Sequence, residues 1–287
     1  MHKSLIARLP IIITVFLGSA LIWSSCNNDY TYHTDWNKDK LSGKVSMIKT
    51  TIYSAINEND TVIRGEEIRP TEEFYDKHGL KIKVLKYYSG GMLNQKELYT
   101  YDQYRRIISK KVYNADDHLR FRTEHKYDRN SNETEVTYYD FKDRITSKVL
   151  YRYDESNYKI EEISYVHGDS LAYRKTFKND ANGMRTEEYV FNSENETGHY
   201  TRYKYDSNGN ETELKYFNPN GTANMIIKYH YDKYQNITDE VFYRPDSLIA
   251  RWNYTYRFDD RDNWISKTRF MNNNGLDIFE REIEYYK

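Results

Sequence analysis

The sequence YKYDSNGNETELKYFNPNG, residues 203–221, contains the pattern that decides the fold. One segment in which side chains alternate in character runs into a turn at residues 206–209, and a second runs into a turn at residues 218–221. Alternation with a period of two is typical of a β-strand with one covered face, and Asp, Asn and Gly are typical turn residues. The unit therefore predicts two strands and two turns.

This unit recurs about eight times, in steps of 26 residues except for the last step, which is 27. Each copy is marked by an aromatic residue, or in one copy by Asn179, followed by an aspartate. The eight aspartates are Asp76, Asp102, Asp128, Asp154, Asp180, Asp206, Asp232 and Asp259. A fixed period of this length indicates an array in which each unit packs on its neighbours.

Counting from these aspartates reveals columns of similar residues. An aromatic residue or His stands three before the aspartate, Ile or Thr six after it, and Ile, Leu, Thr or Ala seventeen after it. With a four-residue turn, the first two columns would lie opposite each other, on an apolar face shared with the residues one before and seventeen after. Bases two before and acids seven after, such as Lys204 and Glu213, predict a charged and solvated second face.

An aromatic column eleven residues after the aspartate falls on the charged face by parity. Two explanations are open: a bulge shifts the register there, or these rings cover the hairpin ends.

Tyr is abundant, at 31 residues, and no stretch has convincing helical periodicity. A sheet with one apolar face must cover that face, and large twisted sheets curl. We therefore expect an all-β fold, an antiparallel meander of about eight 26-residue hairpin repeats in a curled or coiled sheet. We predict a signal peptide at residues 1–25, a polar tether at 26–42, an N-terminal capping hairpin at 43–74 and the repeat array at 75–287.

The motif Tyr205-Asp206-Ser-Asn-Gly-Asn resembles the YD repeat of Rhs-type proteins, in which the repeat builds a coiled β-sheet shell. The resemblance covers roughly residues 72 to 287. The period is longer than that of the usual YD unit, and many copies lack the Gly and Asn. The resemblance, together with the N-terminal segment, implies a hairpin-repeat lipoprotein of the Bacteroidetes type.

Residues 1–25 resemble a bacterial lipoprotein signal, with a basic start, an apolar run and small residues before Cys26, the only cysteine. The apolar run is short for a membrane-spanning helix, which needs about 20 residues. This length favours lipidation of Cys26 over an uncleaved membrane anchor or ordinary secretion. We expect a lipid-anchored protein of the outer membrane, periplasmic or surface-exposed.

Three tripeptides fit the Asp-Ser/Thr-aliphatic pattern that Bacteroidetes use for O-glycosylation of exported proteins. Their acceptor residues are Thr61, Ser170 and Ser247.

The turns at Asp128 and Asp206 begin like calcium loops, but an aromatic residue stands at the twelfth position, where a bidentate acid is needed, so a plain turn is favoured. The scattered His residues and the repeated acid pairs predict no catalytic residue, no metal and no cofactor.

We predict a non-enzymatic exported lipoprotein whose Tyr-rich repeat array binds a protein or glycan partner at the cell envelope. Lys and Arg number 43 against 44 Asp and Glu, so there is no basic excess for binding nucleic acid. The alternative, which the Rhs resemblance alone suggests, is an immunity or self-protection lipoprotein for an Rhs-type toxin system. A glycan-processing enzyme is less favoured.

Overall fold

A computed structural model describes residues 34–59, 61–245 and 247–287. In them a short helix, α1 (Asp35–Lys38), precedes eighteen strands. The strands are β1 (Val45–Glu58), β2 (Thr61–Tyr75), β3 (Lys81–Tyr87), β4 (Leu93–Tyr101), β5 (Ile107–Asn114), β6 (Leu119–Tyr127), β7 (Glu133–Asp140), β8 (Ile145–Tyr153), β9 (Lys159–Val166), β10 (Ser170–Asn179), β11 (Arg185–Phe191), β12 (Thr197–Tyr205), β13 (Glu211–Phe217), β14 (Ala223–Tyr231), β15 (Ile237–Arg244), β16 (Ser247–Phe258), β17 (Trp264–Met271) and β18 (Asn274–Tyr285).

The strands form one closed antiparallel barrel. Each strand pairs with the strands before and after it in sequence, and β1 also pairs with β18, from Val45 opposite Tyr285 to Ser54 opposite Asp277. The prediction of an open, curled or coiled repeat sheet is therefore wrong. An open sheet leaves unpaired N–H and C=O groups along both edges, and closure pairs them. The hairpin of β1 and β2 joins the two ends of the array instead of capping a free edge.

The repeated aspartate organises the turns at one end of the barrel. The Asp206 Oδ1 atom accepts hydrogen bonds from the backbone N–H groups of Asn208 and Asn210, each at 2.9 Å. The third residue after each aspartate has positive φ, which suits Gly209 at 81° but is also adopted by Arg105 at 63°. The same carboxylate contacts occur at Asp76, Asp102, Asp128, Asp154, Asp180, Asp232 and Asp259. The aspartate thus fixes the turn even in copies without Gly.

A β-bulge follows each of these turns and changes the predicted register. In the hairpin of β12 and β13, Lys204 lies opposite Glu213 and Tyr203 opposite Leu214, but Tyr205 lies opposite Glu211. Thr212, six residues after the aspartate, is the extra residue of the bulge. The expected pairing of the aromatic column with the Ile and Thr column is therefore wrong by two positions.

The residue before the aspartate links six of the repeats to the preceding one at the bulge. Tyr231 donates its hydroxyl to the backbone C=O of Glu211 at 2.6 Å, and Tyr153 donates to the C=O of Glu133 at 2.8 Å. Tyr101, Tyr127 and Tyr205 make the equivalent bond, and Asn179 makes it through its amide. A satisfied C=O of this kind stabilises the fold by about 1 kcal/mol.

The barrel wall has two faces of different chemistry. The inner face carries the residues five, three and one before each aspartate and those five, eight and ten after it. The outer face carries the residues two, four and six before it and those seven, nine and eleven after it. Burial raises the pKa of the inner tyrosines Tyr203 and Tyr229 above its usual range, whereas the outer Lys178 and Lys204 side chains are 64% and 70% exposed.

The columns of aliphatic residues six and seventeen residues after the aspartate lie on the outer face, although the repeat predicted them on the inner face. The bulge residues Ile82 and Ile108 are 40% and 38% exposed. A second bulge, at Thr146, lies directly after the column seventeen residues after the aspartate, so that Ile145 lies opposite Tyr139 on the outer face. The aromatic column eleven residues after the aspartate therefore does remain on the charged face.

Residues 34–43 line the aspartate-turn end of the barrel. The Trp36 indole N–H donates to the C=O of Val45 at 2.8 Å, and the Lys40 Nζ atom donates to the C=O of Gln235 at 2.9 Å. Asn263 accepts from the Ser42 N–H at 2.8 Å and donates to the Ser42 C=O at 2.9 Å. The last part of the segment predicted as a tether thus packs on the barrel.

Candidate ligand-binding site

The inner face is aromatic and polar rather than aliphatic. Its tyrosines include Tyr99, Tyr101, Tyr127, Tyr151, Tyr153, Tyr203, Tyr205, Tyr229, Tyr231, Tyr254 and Tyr256. Burial is the largest cause that raises the pKa of each of them, so they remain neutral phenols at physiological pH. A neutral phenol offers a ring face and a hydroxyl together, as ligand-binding surfaces do.

Glu97 shows how an inner carboxylate is satisfied by the protein itself. It is 3% exposed and accepts bonds from Lys110 Nζ at 2.7 Å, Lys86 Nζ at 2.5 Å and the Tyr99 hydroxyl at 2.6 Å. Burial alone would raise its pKa, but these donors outweigh burial and hold the pKa at about 2. This region needs no further ligand.

A different arrangement lies on β16, β17 and β18. Three cations, Lys267, Arg269 and Arg281, face the interior beside aromatic rings, and we call them the cationic cluster. The Arg281 Cζ atom lies 3.5 Å from the centroid of the Trp264 ring, and Lys267 Nζ lies 5.3 Å from the same ring and 4.3 Å from the Phe279 ring. Two cations therefore share one indole.

The acids near the cationic cluster compensate it only in part. Arg269 is bonded to Asp277, while neither Lys267 nor Arg281 makes an ion pair within 4 Å among the described residues. The Nε atoms of Arg269 and Arg281 are buried without a hydrogen-bond partner in the described part of the chain. Burial, together with the charges of Arg281 and Arg269, lowers the pKa of Lys267 to about 8.

The carboxyl groups nearest to the cationic cluster are buried or already bound to other residues. Burial raises the pKa of Glu240 above its usual range. Asp39 and Glu73, whose charges act on Arg281, both accept a bond from the Tyr75 hydroxyl, at 2.8 and 2.9 Å. Lys81 Nζ also lies 2.9 Å from Asp39 and 3.1 Å from Glu73. The guanidinium of Arg281 thus keeps donors that the described residues leave unused.

The predicted site residues lie elsewhere. Thr61, Ser170 and Ser247 are exposed and begin β2, β10 and β16, at the end of the barrel opposite the aspartate turns. The Asp128 and Asp206 carboxylates are occupied by turn N–H groups, and no group of three or more potential metal ligands occurs in residues 34–59, 61–245 and 247–287. Cys26 and the signal peptide lie outside the described residues.

The cationic cluster was not found from the sequence, and the repeat columns give only one signal for it. Eight and ten residues after the aspartate, the copy at 203–221 carries Leu214 and Tyr216, whereas the last copy carries Lys267 and Arg269. Five residues after the aspartate, the last copy carries Trp264. Charged residues also stand at these positions in other copies, as Lys110 does eight and Lys86 ten residues after the aspartate, so Trp264 is the residue that sets the last copy apart.

The outer face carries ion pairs between directly opposed residues. Lys126 lies 2.9 Å from Glu135 and Lys204 2.8 Å from Glu213, and Arg152–Glu161 and Lys178–Glu187 repeat the arrangement at 3.0 and 2.7 Å. We call these pairs the charge ladder. Outer aromatic rings stack beside it, with centroids of Tyr200 and Phe217 at 4.4 Å.

Among the described residues, no helix combines the length and the hydropathy required to cross a membrane.

No protein-family model matches this chain, and no curated protein matches it. Solved structures do show similarity. A porin-like protein from Bacteroides uniformis is 12% identical, with 85% of this chain and 98% of that chain covered and a TM-score of 0.43. A porin-like protein from Bacteroides vulgatus is 10% identical, with coverage of 85% and 99% and a TM-score of 0.29. A putative outer membrane lipoprotein-sorting protein domain from Vibrio parahaemolyticus is 6% identical, with coverage of 88% and 90% and a TM-score of 0.27. At these identities and TM-scores the similarities establish no function.

Proposed function

We propose that this chain is a non-enzymatic, lipid-anchored binding protein of the cell envelope, and that it binds its ligand inside the barrel. The observation that carries the proposal is the inner face, where phenol and indole rings stand beside cations without an ion partner in the described residues. Rings with polar edges suit both sugar rings and protein side chains. The inner face is concave, as ligand sites usually are.

The outer face supports a barrel that stands in water beside the membrane rather than within it. Its charge ladder lies along consecutive strands, and the Lys and Arg members are 64% to 70% exposed. Each Lys or Arg that faces lipid at mid-membrane would cost about 2–4 kcal/mol. A lipid on Cys26 would hold such a barrel at the membrane surface.

A glycan array tests where the ligand binds. We expect the wild-type chain to bind specific glycans, and the inner double variant Trp252→Ala/Tyr254→Ala to lose that binding. The outer double variant Tyr189→Ala/Tyr200→Ala also removes two aromatic rings and should bind as wild type does. Binding that is lost only in the outer variant would contradict an inner site, and circular dichroism would confirm that both variants fold.

Labelled palmitate tests the anchor. Incorporation into the wild-type chain in cells and its loss in Cys26→Ala are expected, because Cys26 is the only cysteine that could accept the lipid. Label that persists in the variant would contradict lipidation at this residue.

The immunity role stays a prediction from the Rhs resemblance, since no contact in the barrel favours it over binding of a glycan.

A further inference from the structure

We propose that the cationic cluster is a binding site for an anionic sugar, with the carboxylate or sulfate held by Lys267 and Arg281 and the sugar ring against the aromatic wall. This inference rests on the proposed function, because it names the ligand class of the same inner face. It concerns β15 to β18.

The first step is the unequal balance of charge. Four acids act on the three cations, but Asp277 is held by Arg269, and Glu73 and Asp39 are held by Lys81 and the Tyr75 hydroxyl, so that Lys267 and Arg281 have no ion pair within 4 Å among the described residues. Glu97, also on the inner face, shows the matched case, with two lysines within 2.7 Å. A cation without a partner in a partly buried site is costly, so an unmatched cluster favours binding of an anion from solution.

The second step is the geometry of the donors. The Cζ atom of Arg281 lies 3.5 Å from the centroid of the Trp264 ring, and a guanidinium that stacks on a ring keeps its edge for hydrogen bonds. An arginine fork of this kind matches a carboxylate or a sulfate with two parallel bonds. Lys267, which shares the Trp264 ring, would add a point charge to the same anion.

The third step is the apolar wall. Trp252 packs edge-on against Phe242 with centroids at 4.9 Å, and the Arg269 Cζ atom lies 5.2 Å from the Trp252 ring. The Trp252 indole N–H is buried without a hydrogen-bond partner in the described residues. An indole beside cations offers a face for the C–H side of a sugar and an N–H for one of its hydroxyls. A simple inorganic anion would use the cations alone.

Calorimetry with the full chain tests the proposal, with glucuronate, glucose and inorganic sulfate as probes. We expect glucuronate to bind, glucose to bind at least about tenfold more weakly, and Lys267→Met to weaken glucuronate binding by about tenfold or more, as loss of a charged hydrogen bond does. Lys267→Arg should retain most of the affinity. Lys204→Met removes an equal charge from the outer face and should change nothing.

Equal affinity of the wild type for glucose and glucuronate, or unchanged glucuronate binding by Lys267→Met, would overturn the inference. Sulfate that competes with glucuronate and binds as tightly would overturn the sugar component, because it would show recognition of the anion alone. If Lys267→Met fails to fold, the salt dependence of the wild type decides: glucuronate affinity must fall as ionic strength rises. Failure of all anionic probes, with inner-face binding of neutral glycans intact, would reject this inference and leave the proposed function standing.

Discussion

The inner and outer faces of the same strands use charge in opposite ways. On the outer face, Lys178 and Arg202 bond to Glu187 and hold its pKa at about 2. On the inner face, burial raises the pKa of Glu211 to about 7, with only Arg185 acting against it. Glu187 on β11 and Glu211 on β13 thus show that a carboxylate meets an exposed network on one face of the wall and an enclosed interior on the other. The comparison teaches that alternation alone does not tell which face is the functional one.

The largest difference between the faces is expected for loss of aliphatic volume. Ile48 is 1% exposed within the inner cluster of Val45 and Tyr75, whereas the outer Ile82 is 40% exposed. We expect Ile48→Ala to reduce the free energy of unfolding by about 2–4 kcal/mol, because it leaves a cavity. Ile82→Ala should cost less than about 0.5 kcal/mol. Denaturant unfolding measures both, and equal losses would contradict the assignment of the faces.

The two carboxylates should give opposite pH dependences. The raised pKa of Glu211 means that the folded state binds its proton more tightly than the unfolded state, whose value is near 4.5. The free energy of unfolding should therefore fall by about 1–3 kcal/mol as pH rises from about 4.5 to 7. Glu211→Gln should remove that fall and be the more stable protein at pH 8.

For Glu187 on the outer face, the free energy of unfolding should change with pH in the opposite direction. Its lowered pKa gives stability that is present above about pH 4.5 and is lost as pH falls toward 2. Glu187→Gln should therefore destabilise the barrel at pH 7 and have little effect at pH 2. Chemical unfolding across pH measures both variants, and slopes of the same sign would contradict the comparison.

A smaller effect is expected for the hydroxyl bonds at the bulges. Tyr153→Phe removes the bond to the C=O of Glu133 and should cost about 1 kcal/mol. Tyr165, on the outer face eleven residues after an aspartate, is the matched control, and Tyr165→Phe should be nearly neutral. Thermal unfolding compares the two, and an equal loss would mean that the inner hydroxyl bond adds nothing.

The smallest effect is expected for the charge ladder. A double-mutant cycle with Lys204→Met and Glu213→Gln should give a coupling of about 0.2–1 kcal/mol, because Lys204 is 70% exposed. The coupling should be lost at 1 M salt, where the Debye length, the distance over which charges are screened, is roughly 3 Å. A coupling that survives high salt would indicate that the ladder is enclosed.

Local features of the fold were predictable because the repeat encodes them locally. The aspartate turns and the placement of Lys204 and Glu213 on one charged face follow from eight copies of one pattern. The bulge at Thr212 was not predictable, since parity counting assumes one residue against one. Closure was not predictable either, because it depends on β1 meeting β18 across nearly the whole chain.

The candidate site was missed for a related physical reason. A search for repeated columns finds what the copies share, whereas the inner positions eight and ten residues after the aspartate vary in charge from copy to copy. Lys267 and Trp264 stand at inner positions where other copies have residues such as Leu214 and Glu211. Their meaning depended on which face is enclosed, and only the bulges decide that.

The seam between β1 and β18 has a consequence for how the protein is made. Val45 on β1 pairs with Tyr285 on β18, so the barrel cannot close until β18 has been synthesised. Until then two unpaired strand edges are open to other chains, and contacts of such large sequence separation form slowly. Biogenesis, rather than the finished barrel, is therefore the stage at which this chain is most exposed to misassembly and proteolysis.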